Sequence, residues 1–322
     1  MTDRRRINGP SSGTIVPTFI SSTSSSQRPN RTRQPDELRK IFLKTGVTPS
    51  APGSAYLELS PSSTSSAPTL VPTSSNLKIT CTVHGPRPLP RSVPFSPQLV
   101  LSTNVKFAPF ATRKRRGYVR DSTERDLGQH LESALRGVII GERWSKSGVD
   151  VVITILEGEE SCWWGDEGGL VGADGRAGSA NGSCGLMSVL AGCITVASAA
   201  LVNAGIDCVG LVSGGVAAMV NNSLSSAEKR ALGSASESSS VCVLDPSPPE
   251  HDGILRACVV AYIEARDEIT EIWLKGEAGS PEETEQLTEK AVVAALASGV
   301  VLKAAVSGPT DEETFSEDVD MS

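Results

Sequence analysis

Five basic residues, Arg113, Lys114, Arg115, Arg116 and Arg120, crowd a short stretch just ahead of a helix-forming segment. Cationic side chains at this density suit the phosphates of a nucleic-acid backbone, whose path they fix without reading base sequence. The same run suits salt bridges to a neighbouring protein, or a solvated loop, and the residues alone leave these readings open. The adjacent Trp163 and Trp164 could stack on bases, pack on a partner or cover local core. His84, His130 and His251 are not spaced with cysteines as a ligand set, and none of the seven cysteines forms a CxxC pair. No metal site and no cofactor are therefore predicted. GADGRAGS and GSANGSCG are glycine-rich but lack the Gly-Lys-Ser/Thr of a phosphate-binding loop. No GxSxG stands in a strand-turn-helix setting, so a nucleophile elbow is not expected.

The elements that must hold these groups follow from periodicity. PDELRKIFLKTG, Pro35–Gly46, reads as a short helix capped by Asp36 and stopped by Gly46. Ala55–Leu59 and Leu77–Val83 alternate as strands do, and Gln98–Phe107 is a third strand. Asp121–Gly141 reads as a helix, with Asp121 and Glu124 spaced as a capping box and Leu127, Leu131, Leu135 and Val138 on one face. His130 lies within it and reads as a surface or half-buried helix residue. Val149–Leu156 is a continuous apolar run, the mark of a strand buried on both faces. Gly185–Gly205 is a second long helix and Cys208–Val220 the strand after it. Val241–Leu244, Ala257–Ile263 and Glu268–Leu274 are further strands, and Glu282–Ala305 a final helix. The expected class is α+β, or mixed α/β, with helices packed against sheets.

At 322 residues the chain can bury a sizeable core. Hydrophobic residues make up 39% and aromatics only 4%, because Ser/Pro-rich stretches dilute the folded part. The expected organisation is a disordered basic tail over residues 1–34, a domain over 35–308 with insertions at about 60–76 and 157–183, and an acidic tail over 309–322. The basic tail includes Arg28, Arg31 and Arg33, and both tails read as solvated. A formal net charge of −7 argues against a chain that is basic throughout. Cys193, Cys208, Cys242 and Cys258 lie in apolar runs as buried hydrophobes do, which points to a reducing, intracellular compartment. Met1–Ile20 lacks the apolar core of a signal peptide. Gly185–Ile206 is uncharged but lacks the aromatic and basic flanks of a membrane span, so a buried helix is expected and no membrane partner.

In order along the chain, GSAYLEL, LKITCTVHGPRPLP and FAPFATRKRRGYVRDSTERDLGQHLESAL together resemble the RNase PH family. That family comprises phosphorolytic exoribonucleases and the RNase-PH-like subunits of the RNA exosome ring. ITVASAALVNAGI resembles its long buried helix, and VLDP with ACVVAYIEARDEITEIWLKGE its closing strands. The likeness spans roughly Asp36–Ser307 apart from the two insertions, and implies the RNase-PH-like fold of sheets packed with long helices.

Active members split the last phosphodiester of RNA with inorganic phosphate, which calls for a fixed cation, a helix N-terminus and two acidic residues. The resemblance places Leu190 where the family has the arginine of a Gly-Thr-Arg turn at the start of the long helix. It places Glu250 near the first acidic position and Arg256 at the second. Leucine cannot neutralise phosphate, and arginine cannot act as a base. Arg176 and Asp252 are the nearby residues that could repair the site, and some other guanidinium facing a pair of carboxylates in the same cavity would point to a working nuclease. Arg120 falls at the best-matching position for holding RNA.

The resemblance therefore implies a catalytically degenerate subunit of a hetero-hexameric ring. Its partners would be other RNase-PH-like ring subunits, RNA-binding cap subunits and RNA. It implies residence in nucleus and nucleolus and also cytoplasm. The alternatives are an active phosphate-dependent 3′–5′ exoribonuclease and a free-standing RNA-binding module.

Overall fold

In a computed structural model of the chain, the described residues are 31, 33–60, 76–112, 115–159, 181–221, 240–251, 254–276 and 279–308. Arg113, Lys114, Trp163, Trp164, Arg176 and Asp252 lie outside them, as do the interiors of both expected insertions and most of both tails.

The elements follow the order ββββ-α-β-α-ββββ-α. Strands β1 (Ile41–Thr45), β2 (Gly53–Leu59), β3 (Leu77–Pro88), β4 (Val100–Phe107) and β5 (Ser147–Glu157) form one sheet in the order β1-β2-β3-β5-β4. All its pairings are antiparallel except β4 with β5. Strands β6 (Val212–Asn221), β7 (Ser240–Leu244), β8 (Ile254–Ile263) and β9 (Glu268–Gly276) form an antiparallel sheet ordered β7-β6-β8-β9. Helix α2 (Asn181–Asn203) packs against β2 and β3 of the first sheet and β6 and β8 of the second. Helix α1 (Ser122–Arg136) lies beside it, against β4, and α3 (Pro281–Ser307) covers the far side of β6 and β8.

The helix between the sheets is made of small residues for a steric reason. A Cβ on Gly53 of β2 would meet Ala200 of α2 and Ala204 just beyond its end, and one on Gly214 of β6 would meet the backbone of Ala191. The next residue, Gly215, faces the other way and would meet Ala291 and Ala295 of α3. Adjacent strand residues point to opposite faces, so a Gly-Gly pair lets two helices approach one strand from both sides. Burial within the domain accounts for the apolarity of α2; both α2 and α3 are long and apolar enough to cross a membrane.

Four expectations need correction. Pro35–Gly46 is not a helix: residues 37–40 carry no regular secondary structure and lead into β1, which pairs with β2 from Ile41↔Leu59 to Thr45↔Ala55. The pairing satisfies the backbone that a short, weakly amphipathic helix would have left exposed. The helix expected to reach Gly141 ends at Arg136 with Gly137 as its cap, and Val138 stays buried through a turn. Its start is the expected one, with Asp121 and Glu124 forming the capping box. Strand β5 is not buried on both faces: Val149, Val151, Ile153 and Ile155 are buried, and the residues between them are half-exposed. Finally, Arg31 and Arg33 belong with the folded body rather than with a solvated tail, for reasons that lie in the site.

Candidate active site and nucleic-acid interface

Asp245 directly follows β7 and has a positive φ of 45°, a conformation in which short polar residues are enriched. Its carboxylate accepts from the Arg39 backbone N–H at 3.0 Å, from Arg39 Nε and Nη2 at 2.7 Å each, and from Arg33 Nη1 at 3.1 Å. Arg39 also pairs with Glu159, just beyond β5, and Arg33 pairs with Glu250 at 3.1 Å. Arg31 clasps the segment from outside, donating to the carbonyls of Gln34, Glu37 and Leu244 at 2.9, 2.9 and 3.0 Å. The backbone itself is stitched on where Leu244 N–H donates to the Pro35 carbonyl. Residues 31 and 33–39 thus form an arm bound across the end of β7.

The electrostatics show how completely this cluster satisfies itself. The Arg39 side chain is 1% exposed. Burial alone would lower its pKa, but Asp245 and Glu159 outweigh that and hold it charged beyond the ordinary guanidinium range. Burial likewise opposes ionisation of Asp245, yet Arg39 and then Arg33 drive its carboxyl well below the usual range. At Glu159 burial wins over the attraction of Arg39, and the carboxyl is pushed up to about 7. Burial also raises Glu250, against the pull of Arg33. Arg31, desolvated and repelled by Arg33, is lowered to about 10.

A cavity of about 30 Å³ adjoins the cluster, lined by Arg39, Ser188, Ala191, Thr195 and Asp245 among others. That is room for a water or two. It cannot take a phosphate together with the end of a polynucleotide.

Leu190 is fully buried and lies more than two turns inside α2, which starts at Asn181. The helix expected to begin at Gly185 begins at Asn181, so no helix N-terminus is offered to an anion at Leu190, where the resemblance would put one. Its neighbour Ser188 donates weakly to the Pro246 carbonyl at 3.4 Å, tying the helix to the turn that carries Glu250. Glu250 therefore lies in the cluster. Arg256 does not; it sits in β8 and pairs with Glu283 in the first turn of α3 at 2.9 Å. Among the described residues no group of three or more His, Cys, Asp and Glu is placed to hold a metal ion.

The residues that dominate the site were not singled out from sequence. In the sequence Arg33 reads as part of a tail, Arg39 as part of a helix and Glu159 as part of an insertion, and Asp245 falls just past a strand. The available signal was positional: Arg39 just ahead of IFL and Asp245 just after VCVL are charges against apolar strands, where a buried partner is required.

The basic run divides. Arg120 reaches back to β4, donating to Asn104 Oδ1 at 3.1 Å and the Thr103 carbonyl at 3.4 Å. Arg116 lies 4.5 Å over the Phe107 ring and pairs with Asp121 at 3.5 Å. Arg115 is exposed, 5.9 Å over the ring of Tyr118, whose hydroxyl it meets at 3.2 Å. Two of the five candidates are thus engaged in holding the loop's own structure, and Arg115 faces solvent.

Three comparisons with known proteins bear on this geometry. Residues 37–207 match a family model described as the 3′ exoribonuclease family, domain 1. The chain is 50% identical over 308 residues to exosome complex component MTR3 of Chaetomium thermophilum, covering 94% of this chain and 97% of that protein. It is 28% identical over 305 residues to exosome complex component mtr3 of Schizosaccharomyces pombe, covering 91% of each. The crystal structure of rice Rrp46 superposes with a TM-score of 0.60 over 86% of this chain and 99% of that one, at 14% identity.

Proposed function

The chain belongs to the 3′ exoribonuclease (RNase PH) family, and from that premise we propose that it is a non-catalytic ring subunit of an RNA exosome. The observation that carries this reading is the arm of residues 31 and 33–39. It fills the region beside α2 with guanidinium groups already paired with Asp245, Glu159 and Glu250. Catalysis of phosphoryl transfer needs cations free to meet charge as it develops. A guanidinium whose donors are aimed at buried carboxylates, 1% exposed, is not free to do so.

What such a subunit contributes is shape. Its sheets and helices complete a ring with other RNase-PH-like subunits, support cap subunits, and flank a channel that leads RNA to a nuclease elsewhere in the assembly. Arg115, and the basic run around it, would face that RNA. The place of work is that of the exosome, in nucleus and nucleolus and in cytoplasm.

One feature of the site favours a second reading. Arginines do stand opposite carboxylates here, the set that a working phosphorolytic exoribonuclease uses. Incubating the purified chain with 3′-single-stranded RNA, magnesium and phosphate separates the two. The scaffold reading expects no phosphate-dependent release of nucleoside diphosphates. It also expects the assembly to fall apart when this subunit is depleted. Phosphate-dependent product would establish the enzyme.

A further inference from the structure

Only 4% of this chain is aromatic, and among the described residues Phe42, Phe95, Phe110 and Tyr118 are the exposed rings of Phe and Tyr. Two of these, Phe110 at 75% and Tyr118 at 71% exposed, belong to one loop between β4 and α1. From Lys106 to Arg120 the sequence carries six Lys and Arg and no Asp or Glu.

The described parts of the loop, residues 108–112 and 115–121, are held rather than loose. Ala108 N–H donates to the Ile155 carbonyl and Gly158 N–H to the Ala111 carbonyl, both at 2.9 Å, so the turn bearing Phe110 is pinned to the end of β5 at each side. Arg116 N–H donates to the Pro109 carbonyl at 3.2 Å and closes the loop, bringing the segment with Tyr118 back to the turn. Lys106 Nζ holds the Tyr118 carbonyl at 2.9 Å. Arg115 steadies the Tyr118 ring from one side and remains exposed itself.

An apolar ring held out in water on a fixed turn gains nothing for folding. Beside cations it matches what single-stranded nucleic acid presents: unpaired bases with open π-faces and phosphates one step away. We infer that Phe110 and Tyr118 form a stacking platform for unpaired RNA bases, with Arg115 and Lys106 holding the adjoining phosphates. The inference rests on the reading of the chain as an RNA-flanking ring subunit and adds to it a demand for unpaired bases. A duplex hides its base faces and would meet only the cations.

The test uses full-length chain assembled with its ring and cap partners, and RNA carrying 4-thiouridine. Photocrosslinks are expected in the peptide spanning residues 106–120. In F110A/Y118A they should drop together with the single-strand affinity of the purified full-length chain, by roughly five- to a hundredfold for each stack lost. Binding of a duplex of equal length should be unchanged, and an abasic oligonucleotide should bind wild type as weakly as the variant. Tyr118→Phe, which keeps the ring and loses the hydroxyl, should bind as wild type. Lys106→Gln with Arg115→Gln should instead flatten the salt dependence, by roughly one to two in slope. Crosslinks only elsewhere, or equal losses on duplex, would overturn the platform while leaving the ring assignment standing. Failure of F110A/Y118A to enter the ring, measured by native mass, would overturn it in favour of a protein contact. Failure of wild-type chain to assemble at all would strike the ring reading itself.

Discussion

Replacing Asp245 by Asn changes almost no volume and removes one charge, so its effect isolates the buried cluster. The carboxylate accepts four hydrogen bonds, three from Arg39 and one from Arg33. An amide can accept on one atom only, and its other end presents N–H groups to guanidinium N–H groups. Arg39 is left with Glu159, whose carboxyl already titrates near 7, and Arg33 is left with Glu250. Breaking a buried pair from one side costs about 3–5 kcal/mol, because the surviving charge keeps its desolvation penalty. For a domain of this size that is a fall in Tm of roughly 10 °C.

Urea unfolding followed by far-UV circular dichroism at pH 7 measures the loss. Trypsin reads its location, since Arg31, Arg33 and Arg39 become cleavable once the arm lifts. The double replacement D245L/R39M supplies the control: it removes both charges, and its cost should be well below that of D245N, by the strong coupling expected of contacting residues. A cost for D245N under about 1 kcal/mol with an unchanged m-value, or a double variant costing as much as the two singles together, would refute the idea that a desolvated ion cluster fastens the arm.

Other outcomes follow from the same geometry. Glu159 is raised from 4.5 to about 7, so its folded form holds a proton that the unfolded chain has released. Its contribution to stability is complete below the ordinary carboxylate range and is lost as pH rises to about 7, with an upper limit of about 3 kcal/mol. Denaturant midpoints at pH 5, 6, 7 and 8 should fall across this window in wild type and stay flatter in E159Q. Asp245 has the opposite sign: its lowered carboxyl stabilises at neutral pH, and that support disappears as acid protonates it below the ordinary range, so D245N should show a weaker acid transition. Leu190→Arg should fail to yield phosphate-dependent product and should lower the urea midpoint, because it places a cation in the interior of α2 against apolar neighbours. Gly214→Val should destabilise by at least about 3 kcal/mol, since its Cβ meets the backbone of Ala191, which cannot give way as a side chain can. Retention of full stability by that variant would contradict the close approach of α2 to β6.

The sequence carried the elements whose signals are local. The capping box of α1 is two residues three apart, Asp121 and Glu124, and needs no distant partner to be recognised. Alternation marked β2 and β3, and the uninterrupted small and apolar run marked α2 as a helix packed on all sides. The family resemblance rests on the same local strings, in order. That Leu190 cannot itself hold a phosphate was legible too, since residue type alone excludes it.

What the sequence could not supply was partnership across distance. Ile41–Thr45 is a strand because β2 offers it a hydrogen-bonding edge. Arg39 and Asp245 are 206 residues apart, and nothing in the spacing of either announces the other. Arg33 reads as one more arginine in a basic tail until Asp245 and Glu250 are folded against it. Burial makes the difference, because a charge in water interacts weakly with everything while a desolvated one must find its opposite or neutralise. Chain order determined which residues could form helices, strands and caps. Only the packing of the arm against two strand ends decided that the arginines of this site would be consumed by the protein's own carboxylates.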